Sequence, residues 1–372
     1  MPMEKLLEVK GLKTHFHMHG YTVRAVDGVD FELGEGETLG IVGESGCGKS
    51  QTSMSIMRLV PDPPGKIEAG EVLFRGRDLL KISEAQMRKV RGNNISMIFQ
   101  EPMTSLNPVF TLGYQISEVL MLHRDMSSEE ALKESARLLA LVGMSDPEER
   151  VHEYPFQLSG GLRQRGMIAM AMACEPDVLI ADEPTTALDV TIQAQILRLM
   201  RDLKERTGTS TMFITHDLAV IASFSDRVMV MYAGVVVEQT SVRDIFKKPM
   251  HPYTQGLLGS IPVLGEVKRN PDGSRRLLNA IPGSLPDHRN FPRGCRFAPR
   301  CKKVMARCWE AEPALVQIEE GHQVRCFLYS DEIQETPAYQ EVKGAQARRA
   351  RRRAAREGGA SAPDNATVGE ES

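Results

Sequence analysis

From Leu6 to Tyr232 the chain alternates between short, continuous apolar runs and longer stretches whose apolar residues recur three or four apart. Short runs at Leu6 to Val9 and Val29 to Leu33 predict strands on either side of a turn-rich stretch at His19-Gly20. Thr38 to Val42 predicts a buried strand that runs directly into glycines, and Gln51 to Leu59 a helix. Strand character returns at Glu71 to Phe74 and at Ile95 to Phe99. Leucines and alanines from Gly113 to Val142 keep a helical period, so one long helix is expected there. A further helix should follow Gly161 and end near Cys174-Glu175-Pro176, and Val178 to Ala181 predicts a buried strand. Val190 to Thr207 predicts a helix closed by Gly208, and Thr211 to Thr215 and Arg227 to Tyr232 complete the strands.

Strands that alternate with helices call for an α/β fold with a largely parallel sheet covered on both faces. The N-terminal hairpins add a separate antiparallel sheet. After Ile261 the texture changes. Pro262 to Pro292 is rich in Pro, Gly and charge and reads as an irregular linker, after which four cysteines crowd together. Beyond Ser330 a polar tail holds six arginines between Ala347 and Arg356, and disorder is expected there.

Composition narrows the possibilities. The chain has 372 residues, 41% of them hydrophobic, and a net charge of −3, so it can bury a sizeable core and lacks the basic footprint of a nucleic-acid binder. The opening residues lack the apolar core of a secretory signal. The longest apolar runs, such as Val228 to Val237, are strand-length and interrupted by Gly234, well short of the roughly 20 apolar residues of a membrane span. A cytosolic chain is expected, touching a membrane only through a partner.

Three local motifs carry chemistry. Gly43-Glu44-Ser45-Gly46-Cys47-Gly48-Lys49-Ser50 fits the G-x-x-x-x-G-K-[ST] phosphate loop, with a strand before it and a helix, starting near Gln51, after it. Glycines let successive backbone N–H groups curve around phosphates, Lys49 adds a charge, and Ser50 offers an oxygen to Mg²⁺. Val178 to Ala181 delivers Asp182 and Glu183 side by side at a strand end. There Asp182 would hold Mg²⁺ and Glu183 would polarise the attacking water. Ser159-Gly160-Gly161, followed by Leu162-Arg163-Gln164-Arg165, opens a second helix in an anion-binding manner.

Leu158 to Arg165 resembles the signature sequence of ABC ATPases, with Leu162 where the family often has Gln. The resemblance implies a P-loop NTPase (RecA-like) core with an N-terminal antiparallel β subdomain, a helical subdomain at about 101–158, and a small Cys-rich C-terminal appendage. It implies a nucleotide-binding domain at 1–262, a linker and C-terminal domain at 263–330, and a tail at 331–372. It also implies that Gln100 touches Mg²⁺ and the attacking water, that Asp189 of Ala187-Leu188-Asp189 lies across a dimer contact, and that His216 contacts the γ-phosphate. Adenine would stack on Tyr21, or alternatively on Phe16.

Glu101 to Pro108, Asp182 to Asp189, His251-Pro252-Tyr253-Thr254 and Gly294 to Cys301 are most similar to the D-type ATPase of oligopeptide/dipeptide importers, a family that includes nickel and some saccharide importers. The implied setting is the cytoplasmic face of the cell membrane. Two permease subunits, a second ATPase chain (a sister or a copy) and, indirectly, an extracytoplasmic binding protein are the implied partners. The segment after Gln100 and the helical region to about Tyr154 would receive a coupling helix from the permease.

Cys295, Cys301, Cys308 and Cys326 have the spacing C-x5-C-x6-C-x17-C. This is wider than usual zinc knuckles, and with the resemblance it favours a [4Fe–4S] cluster over zinc or unligated thiols. The arginine run is a solvated tail or a contact to anionic lipid. Rival readings fit less well: the chain has one ATPase cassette, not the two of translation-type members, and no sustained heptads as in repair-type members. A P-loop kinase would lack the signature.

Overall fold

The computed structural model describes residues 5–100, 105–186, 188–261 and 280–334. Its N-terminal hairpin is longer than the two short runs implied. β1 (Lys5–Met18) and β2 (Tyr21–Gly34) pair antiparallel around the His19-Gly20 turn, and β4 (Gly65–Phe74) and β5 (Arg77–Asp78) extend the sheet in the order β2-β1-β4-β5. The polar positions between the apolar ones hid this length, because one face of the hairpin is solvated.

The main sheet has eight strands in the order β11-β12-β10-β9-β3-β8-β7-β6. At its centre β9 (Arg227–Tyr232), β3 (Thr38–Val42), β8 (Ser210–Ile214), β7 (Val178–Asp182) and β6 (Ile95–Ile98) run parallel. Both faces are buried, and the side chains divide by strand alternation. Val178, Ile180, Met212, Ile214, Met229 and Met231 face the antiparallel sheet. Leu179, Ala181, Phe213, Val228 and Val230 face helices.

The expected long helix over 113–142 is two helices, Leu112–Arg124 and Ser128–Leu141. Asp125 breaks the first with φ 52°, and Ser127 starts the second with a capping box to Glu130. The helix Gly160–Met172 begins at its Ser159 cap, and Val190–Thr207 runs between Asp189 and Gly208 as the pattern predicts.

The appendage expected at the C-terminus is corrected. β12 (His322–Val324) pairs antiparallel with β10 (Val235–Ser241), and β11 (Val316–Glu319) pairs with β12, so this segment continues the main sheet. A buried carboxylate fastens the join. Glu238, fully buried, accepts from Met250 N (2.8 Å) and His251 N (2.9 Å) and lies 2.8 Å from His322 Nε2. A group of this kind is stable inside only when its acceptors are filled. Among the described residues no helix is long and apolar enough to cross a membrane. The expected linker residues 262–279 and nearly all of the arginine tail, 335–372, lie outside the described residues, as do Glu101 to Thr104 and Ala187.

Candidate functional site

The buried strand β3 delivers the chain into the loop 43–48, and the helix Lys49–Ile56 starts at its end. Gly48 is the residue that permits this turn: its φ is 106°, and a Cβ there would stand 2.4 Å from Ala25 O. Lys49 is almost wholly buried, with its ammonium donating to Gly43 O (2.8 Å) and Glu44 O (3.2 Å). It is thus folded back onto the loop that would cradle phosphate. Cys47 is buried beneath the same loop, and burial pushes its thiol pKa up.

β7 ends beside this loop. Burial first, and then the neighbouring Glu183 charge, raise the pKa of Asp182, against a hydrogen bond from Ser50 and the Lys49 charge. Asp182 Oδ1 is buried with no hydrogen-bond partner. An orphaned carboxylate oxygen beside a hydroxyl fits a hard cation such as Mg²⁺, which would be held by Asp182 and Ser50. Such an ion would neutralise phosphate charge.

Glu183 sits at the next turn with φ 48°. Its N–H donates to Ile214 O at 2.9 Å, tying the turn to β8. Its Oε2 accepts from Thr186 Oγ1 (2.8 Å), is 3.4 Å from Gln100 Nε2, and lies 3.2 Å from His216 Nδ1. Three strand ends therefore converge on one carboxylate. The His216 and Gln100 side chains are exposed around it, which leaves room for a water at the carboxylate.

Other sequence-predicted residues lie elsewhere. Ser159 accepts from Leu162 N as a helix cap (3.4 Å), and Asp189 caps the next helix through Ile192 N (2.9 Å). A Cβ on Gly161 would meet Ile192 at 3.1 Å, so the signature and the Asp189 helix start pack together. Among the described residues no hydrogen bond links Ser159, Gly160 or Gly161 to the loop 43–50 of the same chain. Tyr21, half-exposed at the hairpin tip, stacks with Arg289 at 5.5 Å, while Phe16 packs toward Gly65.

Cys295, Cys301, Cys308 and Cys326 all border one small pocket with His251 and Phe297. The donor set fits a thiolate-held group in kind. The preformed metal site expected there is nonetheless absent: among the described residues no three His, Cys, Asp or Glu side chains stand together closely enough to hold a metal ion. Burial favours the neutral thiol at Cys295, Cys301 and Cys326, so in this arrangement they pack as apolar side chains. It pushes Cys295 up to about 12 and Cys326 up to about 11, with neighbouring cysteines adding to the effect.

Sequence reasoning missed the roles of the buried residues Arg296, Arg300 and Tyr253 behind the loop, and of Glu238 at the β10–β12 join. Their partners are distant in the chain, and the only local signal was the Cys-Arg and Arg-Cys pairs within Gly294 to Cys301.

Residues 26–186 match the family described as ABC transporter, and residues 237–308 match the one described as oligopeptide/dipeptide transporter, C-terminal region. The oligopeptide transport ATP-binding protein AppD of Bacillus subtilis (strain 168) is 54% identical over 330 residues, covering 89% of this chain and 98% of that protein. This chain belongs to the ABC transporter family. It is an ATPase of that family, and the dipeptide transport ATP-binding protein DppD of Bacillus subtilis (strain 168) is another relative, 52% identical over 88% of this chain and 95% of its own length. The solved dimer of the ATP-binding cassette MJ0796, bound to ADP and Pi after hydrolysis, superposes with a TM-score of 0.58 at 29% identity, covering 64% of this chain and 99% of that one. The fold is therefore the ABC cassette, with its antiparallel sheet and helices.

Proposed function

We propose that this chain hydrolyses ATP to drive peptide uptake through an importer of the ABC type. The observation that carries the reading is the convergence of Gln100, Glu183 and His216 on one side of the loop that folds Lys49, with the orphaned Asp182 oxygen beside it. In this reading Gly43 to Gln51 wrap the phosphates, and Ser50, Asp182 and Gln100 hold Mg²⁺. Glu183 takes the proton of the attacking water while His216 steadies the γ-phosphate. Ser159, Gly160, Gly161 and Asp189 serve the nucleotide of a second ATPase chain. Support comes from Ser159, Gly160 and Gly161, for which no hydrogen bond to the phosphate loop of the same chain is found among the described residues, and from the dimeric cassette the fold resembles. Tyr21 is the adenine platform.

Two permease subunits are the membrane partners, at the cytoplasmic face, with an extracytoplasmic binding protein supplying substrate. The coupling surface lies on the helical region, where the exposed pairs Phe110–Tyr114 (4.8 Å) and Tyr154–Phe156 (5.5 Å) stack in solvent reach. The sequence division at 262/263 separates the nucleotide-binding part from the C-terminal part. The four C-terminal thiols border one pocket without standing close enough together to hold a metal here, and in this reading they would draw together on a [4Fe–4S] cluster, or else zinc, to staple that part. The experiment is reconstitution with both permeases and the binding protein in liposomes. Peptide should stimulate ATP hydrolysis and accumulate inside, and Lys49→Ala should abolish both. Stimulation by nickel or a saccharide instead of peptide would overturn the substrate assignment.

A further inference from the structure

The turn that carries two of the cysteines also carries two buried arginines, each next in sequence to a thiol: Cys295-Arg296 and Arg300-Cys301. Arg300 forms a two-pronged pair with the phosphate-loop residue Glu44, Nη1 to Oε2 at 2.8 Å and Nη2 to Oε1 at 3.0 Å. Its Nε donates to Pro282 O at 2.9 Å, and Nη1 also reaches Tyr232 Oη at 3.4 Å. The Glu44 backbone is held from the same side, its N–H donating to Tyr253 Oη at 2.9 Å.

Arg296 acts one layer behind. It donates to Ala233 O (2.6 Å) and Asp27 Oδ2 (2.6 Å) and pairs with Glu312 (3.3 Å). Of these, Ala233 and Asp27 flank Gly234, which follows Ala233 in the chain: Gly234 N donates to Cys47 O of the loop (2.8 Å), and Asp27 N donates to Gly234 O (2.9 Å). Burial would raise the Asp27 pKa, but His15 and Arg296 hold it well below the ordinary carboxylate range, so the pair is ionic.

A phosphate loop binds well only when its amides and lysine are already in position, because ordering it at the moment of binding costs affinity. Glu44 gains nothing from facing phosphate: a carboxylate there would repel the ligand unless its charge is turned aside and neutralised. Arg300 does both. We infer that Arg300, through Glu44, and Arg296, through Ala233 and Asp27, are positioning residues that preorganise the phosphate loop for ATP, so that the C-terminal segment sets nucleotide affinity. This rests on the reading that Gly43 to Ser50 bind ATP.

The test uses the full chain, with ATP binding measured by calorimetry and hydrolysis measured in the assembled transporter. Wild type that binds no ATP would remove the underlying reading itself. Given wild-type binding, Arg300→Met should raise the Kd and KM for ATP roughly tenfold, the scale of one charge-assisted hydrogen bond, with kcat changed less than KM. Arg300→Lys should recover part of the loss. Glu44→Gln, which leaves the C-terminal core untouched, tests the same pair from the loop side if Arg300→Met does not fold. In the Glu44→Gln background Arg300→Met should add little. Arg300→Met that folds and binds ATP like wild type, or that costs as much in the Glu44→Gln background as in the wild-type chain, overturns the inference.

Discussion

Replacing Glu183 by Gln is the change that most directly separates binding from chemistry at this site. The side chains match in shape, so the N–H of residue 183 keeps its bond to Ile214 O, and the new amide oxygen can still accept from Thr186. The φ of 48° is as tolerable for Gln as for Glu, so no new backbone strain arises. What disappears is the carboxylate between Gln100 and His216. A positioned general base contributes about 10² to 10⁴ in rate, or roughly 3–5 kcal/mol of barrier. Gln100 and His216 remain to orient water, so we expect hydrolysis to fall by about 10² to 10³. ATP affinity should stay within about threefold, because Lys49, Ser50 and Asp182 are untouched. The assay is single-turnover hydrolysis of labelled ATP in the assembled transporter, with any sister site silenced first, alongside gel filtration for an ATP-trapped dimer. Near-wild-type turnover with normal ATP binding would refute the assignment of Glu183 as base. Weak ATP binding would show instead that its charge shapes the ground state.

Three further outcomes are expected from other parts of the structure. Ser159→Arg should leave ATP binding to the isolated monomer unchanged while preventing the ATP-bound dimer, whereas Lys49→Ala should weaken monomer binding directly; equal loss in both would contradict a cross-chain role for the signature. His251 is fully buried and burial holds its pKa down at about 3, so only the unfolded chain gains its proton as pH falls below 6.5. Stability should therefore drop on acidification, by on the order of 3 kcal/mol at pH 4 from this group, and His251→Asn, which can still cap Tyr253 N, should flatten that slope in acid-unfolding curves. Anaerobically purified protein should be brown with about four irons per chain, and Cys301→Ser should bleach it while sparing ATP binding; one tightly held zinc, or neither metal, would remove the cluster.

The phosphate loop, the Asp182-Glu183 strand end and the signature were legible because each is a local word: residue spacing alone fixes what the backbone can do there. Gln100, after its strand, and His216, after those words, were found only through the family resemblance, and their meeting at Glu183 comes from parallel neighbours β6, β7 and β8. The break at Asp125 was legible in principle, since Ser127 and Glu130 spell a capping box, but the leucine period on both sides masked it. Arg300 was not legible. Its partner Glu44 is 256 residues away, and an arginine in a Pro- and Gly-rich stretch reads as solvated until the fold buries it. The same holds for Glu238 and His322, which sit 84 residues apart on strands joined across the linker.

The closure of β10 by β12 has a consequence for the order in which the chain is made. β10 is complete at Ser241, but the strand that covers its edge begins only at His322, about eighty residues later. At roughly 5–20 residues per second, the cassette leaves the ribosome with a bare, apolar edge for on the order of 4 to 16 s. Val235 to Val237 lie on that edge, together with a Glu238 whose His322 partner has yet to be synthesised. During this interval the nascent chain is open to wrong strand pairing, and β12 acts as its late-arriving guard, leaving the short β11, which ends on Glu319, as the new edge.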